Sequence, residues 1–446
     1  MTTHVRWLLS RLNANYWFYP ALFSITGGAL AFLLVWLDRN GFAEFLNSVE
    51  AIVPARPQSA SNMLQVIAAS TIAVASTVFS ITIAAVAYAS GTYGPRLLTN
   101  FMEDKGNQLS LATFIGTFVY SITVLRTVRA EDEVAANAAN AADTALPGFV
   151  PQLSLLTAYL LMVISVAVLV YFLNHIPSSI RINTVLHGIG RRLLRGIEEV
   201  YPDEHTGEEP ARGPDDGRAV PVAGTGYVQI IDFEGLCALA RKHDCTLTLQ
   251  VRTGDFLHPG MVFATIAGMT GALPDLSGCY TLGASRTPEQ DPQFLIDELV
   301  EIGLRALSPG INDPFTAITA LHWLGAATAD LGRRDLLKMK AWGETKRGDP
   351  QRVVPLPDDF SHYVMRGFGA MRSAVATSHT AALVMFDTLR HAAEAVDDGA
   401  RRKVLGQQGD LLIEQIRTKL EGPDLVELEA RYVSFCQAME RPVRGQ

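Results

Sequence analysis

The stretch MLQVIAASTIAVASTVFSITIAAVAYASGTYGPRLLTN runs from Met63 to Asn100 and decides how the rest of the chain is interpreted. Its first 28 residues, Met63 to Ser90, contain neither a charged residue nor a proline. At about 1.5 Å per residue, such a run is long enough to cross a hydrocarbon core of about 30 Å as a helix. Gly91, Gly94 and Pro95 then favour a helix end. The stretch therefore predicts a membrane-spanning helix.

Small and hydroxyl-bearing side chains form one stripe along this predicted helix. Its members are Ser70, Ala73, Thr77, Ser80, Ala84 and Ala87. A stripe of this kind either lets another helix backbone approach closely or lines a polar path. The sequence leaves both interpretations open: helix packing within one bundle, or pore lining when several copies surround an axis.

The 446-residue chain divides into two parts of different character. Nearly all of its long uncharged runs precede residue 175, and the remainder resembles an ordinary soluble protein. The formal net charge is −8, which gives no general basic character and argues against nucleic acid as a partner.

Four spans are predicted, at about residues 19–37, 63–90, 109–126 and 149–173, within a transmembrane domain of residues 1–176. Residues 1–18 are interpreted as an interfacial lead-in, and the first span as a retained helix rather than a cleaved signal peptide. No span has an acidic residue, lysine or arginine in its middle. This argues against a proton-coupled pump but not against a channel.

Arginines set the expected orientation of the four spans. A cluster follows the fourth span, at Arg181, Arg191, Arg192 and Arg195. Together with the arginines before the first span, it predicts a bacterial inner-membrane protein with both termini in the cytoplasm. Arg96 and Arg126 lie at span ends, where they are expected at the membrane interface, holding lipid phosphate or snorkelling.

The second part is predicted to be an α+β cytoplasmic region. A connecting helix and a mobile linker occupy 177–222, a small β-rich domain 223–285, and a helical domain 286–446. The phrase GDFLHPGMVFATI, which begins at Gly254, is similar to the hairpin of a barrel-sandwich fold. It lacks the modifiable lysine of biotinyl and lipoyl carriers, so no carrier function is implied.

Two Asp-Pro pairs, Asp291-Pro292 and Asp313-Pro314, predict helix starts. If the two helices pack as a hairpin, we expect their N-termini to lie near one another. Arg286, Arg305 and Asn312 would then join the two aspartates in a ligand pocket or a subunit contact. The alternative is two capped helices with an Asp297–Glu301–Arg305 ladder at i, i+4 spacing.

No motif indicates an enzyme, a cofactor or a metal site. The cysteines at 237, 245, 279 and 436 suit a reducing compartment without disulfides. Cys237, His243, Cys245, His258 and Cys279 are potential zinc ligands by type, but their spacing favours buried, inert thiols. P-loop, nucleophile-elbow, metalloprotease and dinucleotide-binding patterns are absent from the sequence.

Several segments together resemble one family. They are YGPRLL from Tyr93, GYVQ from Gly226, GDF from Gly254 and, above all, GASRTPEQDPQFLIDELVEIGLRALSPGINDPFTA from Gly283 to Ala317. These are similar to the bacterial predicted-membrane-protein family known as domain of unknown function 2254. The resemblance implies a multi-span membrane region with a cytoplasmic part, and it supplies no activity. Gly94 stands where the family pattern leads us to expect serine, so no hydroxyl is available there.

The sequence therefore predicts a homo-oligomeric channel or channel-like conduit whose cytoplasmic region gates it or lines its vestibule. Its expected partners are the lipid membrane, further copies of the chain, and an ion or small anionic ligand. The alternative is a membrane-anchored sensor or scaffold that binds a small ligand or partner protein through its cytoplasmic domain.

Overall fold

A computed structural model describes residues 15–42, 56–94, 104–129, 149–201, 214, 216–269, 271–288, 290–336, 352–356 and 359–440. The chain divides into two compact units, Met1–Arg181 and Ile182–Gln446. Several sequence predictions fall outside the described residues. They are Arg96, most of the lead-in and most of the linker.

The described part of the first unit contains four long helices. They are α1 Phe18–Arg39, α2 Pro57–Tyr93, α3 Lys105–Leu125 and α4 Gln152–Ser179. Each is long and apolar enough to cross a membrane, which agrees with the four predicted spans. Asp104 is the N-cap of α3 and accepts a hydrogen bond from the Gly106 N–H at 2.8 Å.

Helix α3 lies at the centre of this unit and packs against the other three helices. Two glycines allow its close approach to α1: a Cβ added at Gly27 would lie 2.7 Å from the Gly116 carbonyl oxygen. Small residues at such crossings are typical of membrane helices. An apolar cluster containing Ala31, Leu64 and Tyr120 fills the space between the helices.

The second unit begins with the amphipathic helix α5, Ile182–Val200, and not with a continuation of α4. Leu186, Ile189, Leu193 and Ile197 of α5 are buried, whereas Arg191 and Arg195 are exposed. Gly190 is also buried, and it must be glycine, because a Cβ there would overlap the indole ring of Trp323.

The described residues of this unit also form seven short strands, with one helix, α6 Phe233–Lys242, after the second strand. The strands are β1 Arg218–Pro221, β2 Gly226–Ile231, β3 Thr246–Leu249, β4 Phe256–Leu257, β5 Val262–Ala267, β6 Tyr280–Gly283 and β7 Val353–Val354. They form two sheets, ordered β1-β5-β3-β7 and β4-β2-β6. One apolar core, which includes Val228, Leu236, Leu247 and Phe263, is shared by strands of both sheets and α6.

The last strand, β7, is contributed by a stretch that the sequence assigned to the helical domain. It pairs in parallel with β3, through Leu247 opposite Val353 and Thr248 opposite Val354. All other strand pairs of the described sheets are antiparallel. Two consecutive valines are too short a pattern to predict a strand from the sequence. They form one here because they pair with the edge of β3.

Helices form most of the remainder. They are α7 Pro292–Ala306, α8 Pro314–Arg333, α9 Phe360–Val364, α10 Ala370–Val375, α11 His379–Glu394, α12 Gly399–Ile416 and α13 Gly422–Glu440. A π-helical turn, Met365–Gly369, joins α9 to α10. The helical part between residues 359 and 396 therefore consists of several segments. Ser378 separates α10 from α11, because its side chain caps the start of α11 by accepting the Ala381 N–H.

The predicted N-caps at Asp291 and Asp313 are confirmed, but their expected proximity is wrong. Asp291 Oδ1 accepts the Phe294 N–H and Asp313 Oδ1 the Thr316 N–H. The Asp313 N–H in turn donates to the Ala306 carbonyl at 2.8 Å, which places the start of α8 at the end of α7. Since α7 has 15 residues, its own start lies about 22 Å away along the helix.

Candidate functional site

The small-residue stripe on α2 faces away from its own bundle. Every member from Ser70 to Ala87 is exposed, whereas Leu64, Ile67, Val78 and Val86 on the opposite side of the helix are buried. The close helix approach of this unit occurs at Gly27 and Gly116 and not at the stripe. Packing within the described bundle therefore does not explain the stripe.

The hydroxyls of the α2 stripe are satisfied by their own helix. Ser70 donates to the Val66 carbonyl at 2.7 Å, Thr77 to Ala73 at 3.1 Å, and Ser80 to Ser76 at 2.9 Å. Such bonds let hydroxyl groups face hydrocarbon or a second helix at little cost. The same oxygens keep a free lone pair that can accept a further hydrogen bond.

Helix α3 carries a second set of polar side chains that the sequence reasoning missed. Asn107, Ser110, Thr117 and Ser121 are each at most 2% exposed. Their spacing of three, seven and four residues puts them on one face of the helix, which we call the α3 polar face. The signal was present in the sequence, but hydropathy averaged over the span concealed it.

Each end of the first unit holds a carboxylate that joins two helices. Asp38, at the end of α1, accepts the Leu153 and Ser154 N–H groups at 3.0 Å and the Ser154 hydroxyl at 2.6 Å. It thus caps the N-terminus of α4 from another helix. At the other end, Asp104 Oδ2 lies 2.7 Å from His175 Nε2 of α4.

In the second unit, four charged side chains form a closed network of Arg286, Asp291, Asp297 and Arg366. Arg286 donates to Asp291 Oδ2 through Nε at 2.8 Å and also reaches Asp297. Arg366 binds Asp297 with two nitrogens, Nε at 2.6 Å and Nη2 at 2.7 Å. Two arginines and two aspartates cancel in charge, which lowers the cost of burying them.

The strands of the second unit support this network through two contacts. Gly254 has φ +89°, and a Cβ there would overlap the Asp291 carboxylate, so only glycine fits. Gln290, immediately before Asp291, accepts the Ile231 N–H at 2.9 Å. The GDF phrase and the long motif, which are separated in the sequence, therefore meet at Asp291.

Asp291 is the buried centre of this arrangement, with 2% of its surface exposed. Burial raises the pKa of its carboxyl from 3.8 to about 6, although Arg286 acts in the opposite direction. A cavity of about 30 Å³ lies on one side and has room for about one water. A cleft of about 230 Å³ also borders Asp291 and has Arg192 and Arg195 in its wall.

The remaining predicted contact residues do not join Asp291. Arg305, Asn312 and Asp313 belong to the far end of α7, where Asn312 adopts a left-handed φ of 50° in the connection to α8. Asp297 of the expected i, i+4 ladder makes its bonds across the fold, to Arg286 and Arg366. The predicted set of five residues is thus two separate groups.

The remaining predicted positions have simple surroundings. Arg126 is exposed at the C-terminal end of α3, a position that suits the expected interface role. Burial raises the pKa of the Cys237 and Cys245 thiols, and that of Cys279 to about 11, which makes them poor nucleophiles at neutral pH. Within the described ranges, no three histidine, cysteine or acidic side chains lie together as a metal site requires.

Four apolar helices followed by an α+β region define the class of this chain, an integral membrane protein. The model of the family "Predicted membrane protein (DUF2254)" matches residues 13–391. The chain therefore belongs to the DUF2254 family of predicted membrane proteins.

Its similarity to curated proteins leads to the same class without adding an activity. Uncharacterised proteins of Mycobacterium bovis and of Mycobacterium tuberculosis strain H37Rv are each 32% identical to it over 293 residues. The match covers 63% of this chain and 54% of each relative, so the chain spans about half the length of those proteins. No solved structure matches, and the barrel-sandwich comparison for the β-rich part stays a prediction.

Proposed function

We propose that the protein is a homo-oligomeric channel or channel-like conduit of the bacterial inner membrane, with both termini and the second unit in the cytoplasm. One observation carries the proposal: the α2 stripe is exposed on the side of α2 that faces away from its own bundle. A surface of small side chains that no helix of the described bundle covers is suited to contact with other copies.

The geometry of α2 supports a path formed between copies. Ser70, Thr77 and Ser80 lie about half a turn of helix away from the residues that pack inside the bundle. A ring of copies that buried this side would bring their stripes together. Hydroxyl groups would then replace part of the water shell of a passing ion.

A flux measurement tests this proposal. Purified protein in liposomes should carry potassium or sodium above the rate of empty vesicles. Thr77→Leu should abolish most of this flux, because a bulky side chain fills the narrow path. The matched control is Thr26→Leu: Thr26 of α1 is likewise exposed and likewise bonded to its own helix. Equal loss in both variants, or no flux from well-formed wild-type oligomers, contradicts the conduit.

A second candidate function is a sensor in which the second unit binds a small anionic ligand. The specific observation is the cleft of about 230 Å³ with Arg192 and Arg195 in its wall, beside the buried Asp291. Arg192 lies 3.4 Å from the buried Glu298, while the Arg195 side chain is exposed and can turn toward a ligand.

Thermal unfolding of the full chain in detergent tests the sensor. Inorganic phosphate should raise the unfolding temperature of the wild type and leave that of Arg195→Gln unchanged. Arg390→Gln is the control, because Arg390 contacts Glu394 and His391 on the exposed side of its own helix, α11. A rise that persists in Arg195→Gln means that the anion acts elsewhere.

A further inference from the structure

We propose that each four-helix unit also contains its own hydrated path, along the α3 polar face, that conducts protons. This path lies inside one copy of the chain, whereas the conduit proposed above lies between copies. The proposal stands on the buried polar side chains of α3 and on their partners in α1 and α4.

Two of these side chains need a partner that the described residues do not supply. Ser121 Oγ and Asn107 Oδ1 are buried without a hydrogen bond within the described part of the chain. A buried polar atom in a membrane bundle is costly unless it is bonded, and ordered water is the usual partner in such positions. Both atoms belong to the same α3 face, so they mark two points along one line.

The middle of this line is a direct hydroxyl contact between α3 and α4. Thr117 Oγ1 lies 3.2 Å from Ser165 Oγ, and both side chains are buried. Ser165 also donates to the Leu161 carbonyl at 2.8 Å. Hydroxyl groups both donate and accept hydrogen bonds. They can therefore relay a proton along a chain of hydrogen bonds and are protonated only transiently.

Ionisable groups stand at both ends of the line. Asp104 and His175 lie at the end near Asn107, and Tyr171 Oη lies 3.3 Å from His175 Nδ1. Asp38 and Ser154 lie at the other end, where the Tyr120 hydroxyl donates to the Ser154 carbonyl at 2.9 Å. Carboxylate and imidazole groups exchange protons with water, so each end can load or release one.

The chemistry of the middle section selects protons. Between the two ends, the described residues of the α3 polar face offer hydroxyl and amide groups and no charge. A metal cation would need many oxygen ligands to replace its water shell. A proton needs only reorienting hydrogen bonds: one enters at the first end, one leaves at the other, and no covalent bond of the protein changes overall.

Proton flux into liposomes, read with a trapped pH-sensitive dye, tests this proposal. Wild-type vesicles with a potassium gradient and valinomycin should acidify faster than empty ones. Thr117→Val, which keeps the shape and removes the hydroxyl, should slow the flux about tenfold, a change of about 1.4 kcal/mol in barrier. Thr117→Ser should restore it, and Thr26→Val on the exposed side of α1 should leave it unchanged.

Ser121→Ala protects the test against a folding defect. It removes a hydroxyl that has no protein partner within the described residues, so the bundle should still assemble, and proton flux should still fall. Unchanged proton flux in both Thr117→Val and Ser121→Ala overturns the proposal, as does a wild type no faster than empty vesicles. Thr77→Leu separates the two paths: it should stop potassium or sodium flux and spare the proton flux.

Discussion

The two units bury polar groups in opposite ways. The second unit buries charges, but it closes them into a neutral network of Arg286, Asp291, Asp297 and Arg366. The first unit buries uncharged hydroxyl and amide groups on α3, and the two carboxylates among its described residues, Asp38 and Asp104, lie at helix ends. A buried charge is tolerated in a protein core when it is paired with an opposite charge, whereas a charged side chain in the middle of a membrane span is rare.

The largest expected effect comes from opening the charge network. Asp297→Ala leaves Arg286 and Arg366 without their shared carboxylate, and we expect a loss of about 3 kcal/mol in the free energy of unfolding. The measurement is denaturant unfolding of the full chain in detergent. As a control, Glu394→Ala in the exposed pair with Arg390 should cost about 0.5 kcal/mol or less. Similar costs for the two variants would mean that the network behaves like a surface pair.

The next effect is the pH dependence that Asp291 confers. Folding raises its pKa from 3.8 to about 6, so the folded state binds the proton more tightly than the unfolded state. The contribution to stability is complete below pH 4 and is lost as pH rises through 6, by roughly 2–3 kcal/mol.

Asp291→Asn should remove that pH dependence, because asparagine can still cap α7 but does not titrate. Unfolding midpoints between pH 4 and 7, compared for the wild type and this variant, give the measurement. A wild type that gains stability relative to the variant as pH rises would reverse the sign and refute the burial argument.

A smaller effect tests the close packing of the first unit with two neighbouring glycines. Gly27→Ala places a methyl group 2.7 Å from the Gly116 carbonyl, and we expect a cost of roughly 1–3 kcal/mol. Gly28→Ala meets only Val119 Cγ1, at 3.7 Å, and should be close to neutral. Thermal unfolding in detergent compares them, and equal melting temperatures would show that α1 and α3 do not approach this closely.

The smallest effect concerns a single hydroxyl. If water is bonded to Ser121, then Ser121→Ala should lower stability slightly, by less than about 1 kcal/mol. If the site is dry, removing an unbonded polar atom should raise stability instead. The same unfolding assay, with the exposed Thr26→Ala as the reference, distinguishes the two signs.

Local signals allowed correct prediction of much of the fold. The spans follow from uncharged runs, and the starts of α7 and α8 from Asp-Pro pairs. Each of these signals lies within a few residues of the structure that it specifies.

Contacts between distant residues were not predictable in this way. Asp38 caps a helix more than a hundred positions along the chain, and Asp297 meets Arg366 at a separation of 69 residues. Spacing placed the α2 stripe on one face, but it did not state whether that face points inward or outward. For the same reason it could not tell that α7 and α8 run with their starts at opposite ends.

The two-residue strand β7 has a consequence for how this chain can be divided. Because Val353 and Val354 complete the sheet beside β3, residues far along the sequence are needed to finish a layer that begins at Arg218. A gene truncated between the β-rich and helical segments would produce a sheet with an open edge, and such edges invite aggregation. The β-rich and helical segments therefore belong to one compact unit and should be expressed together.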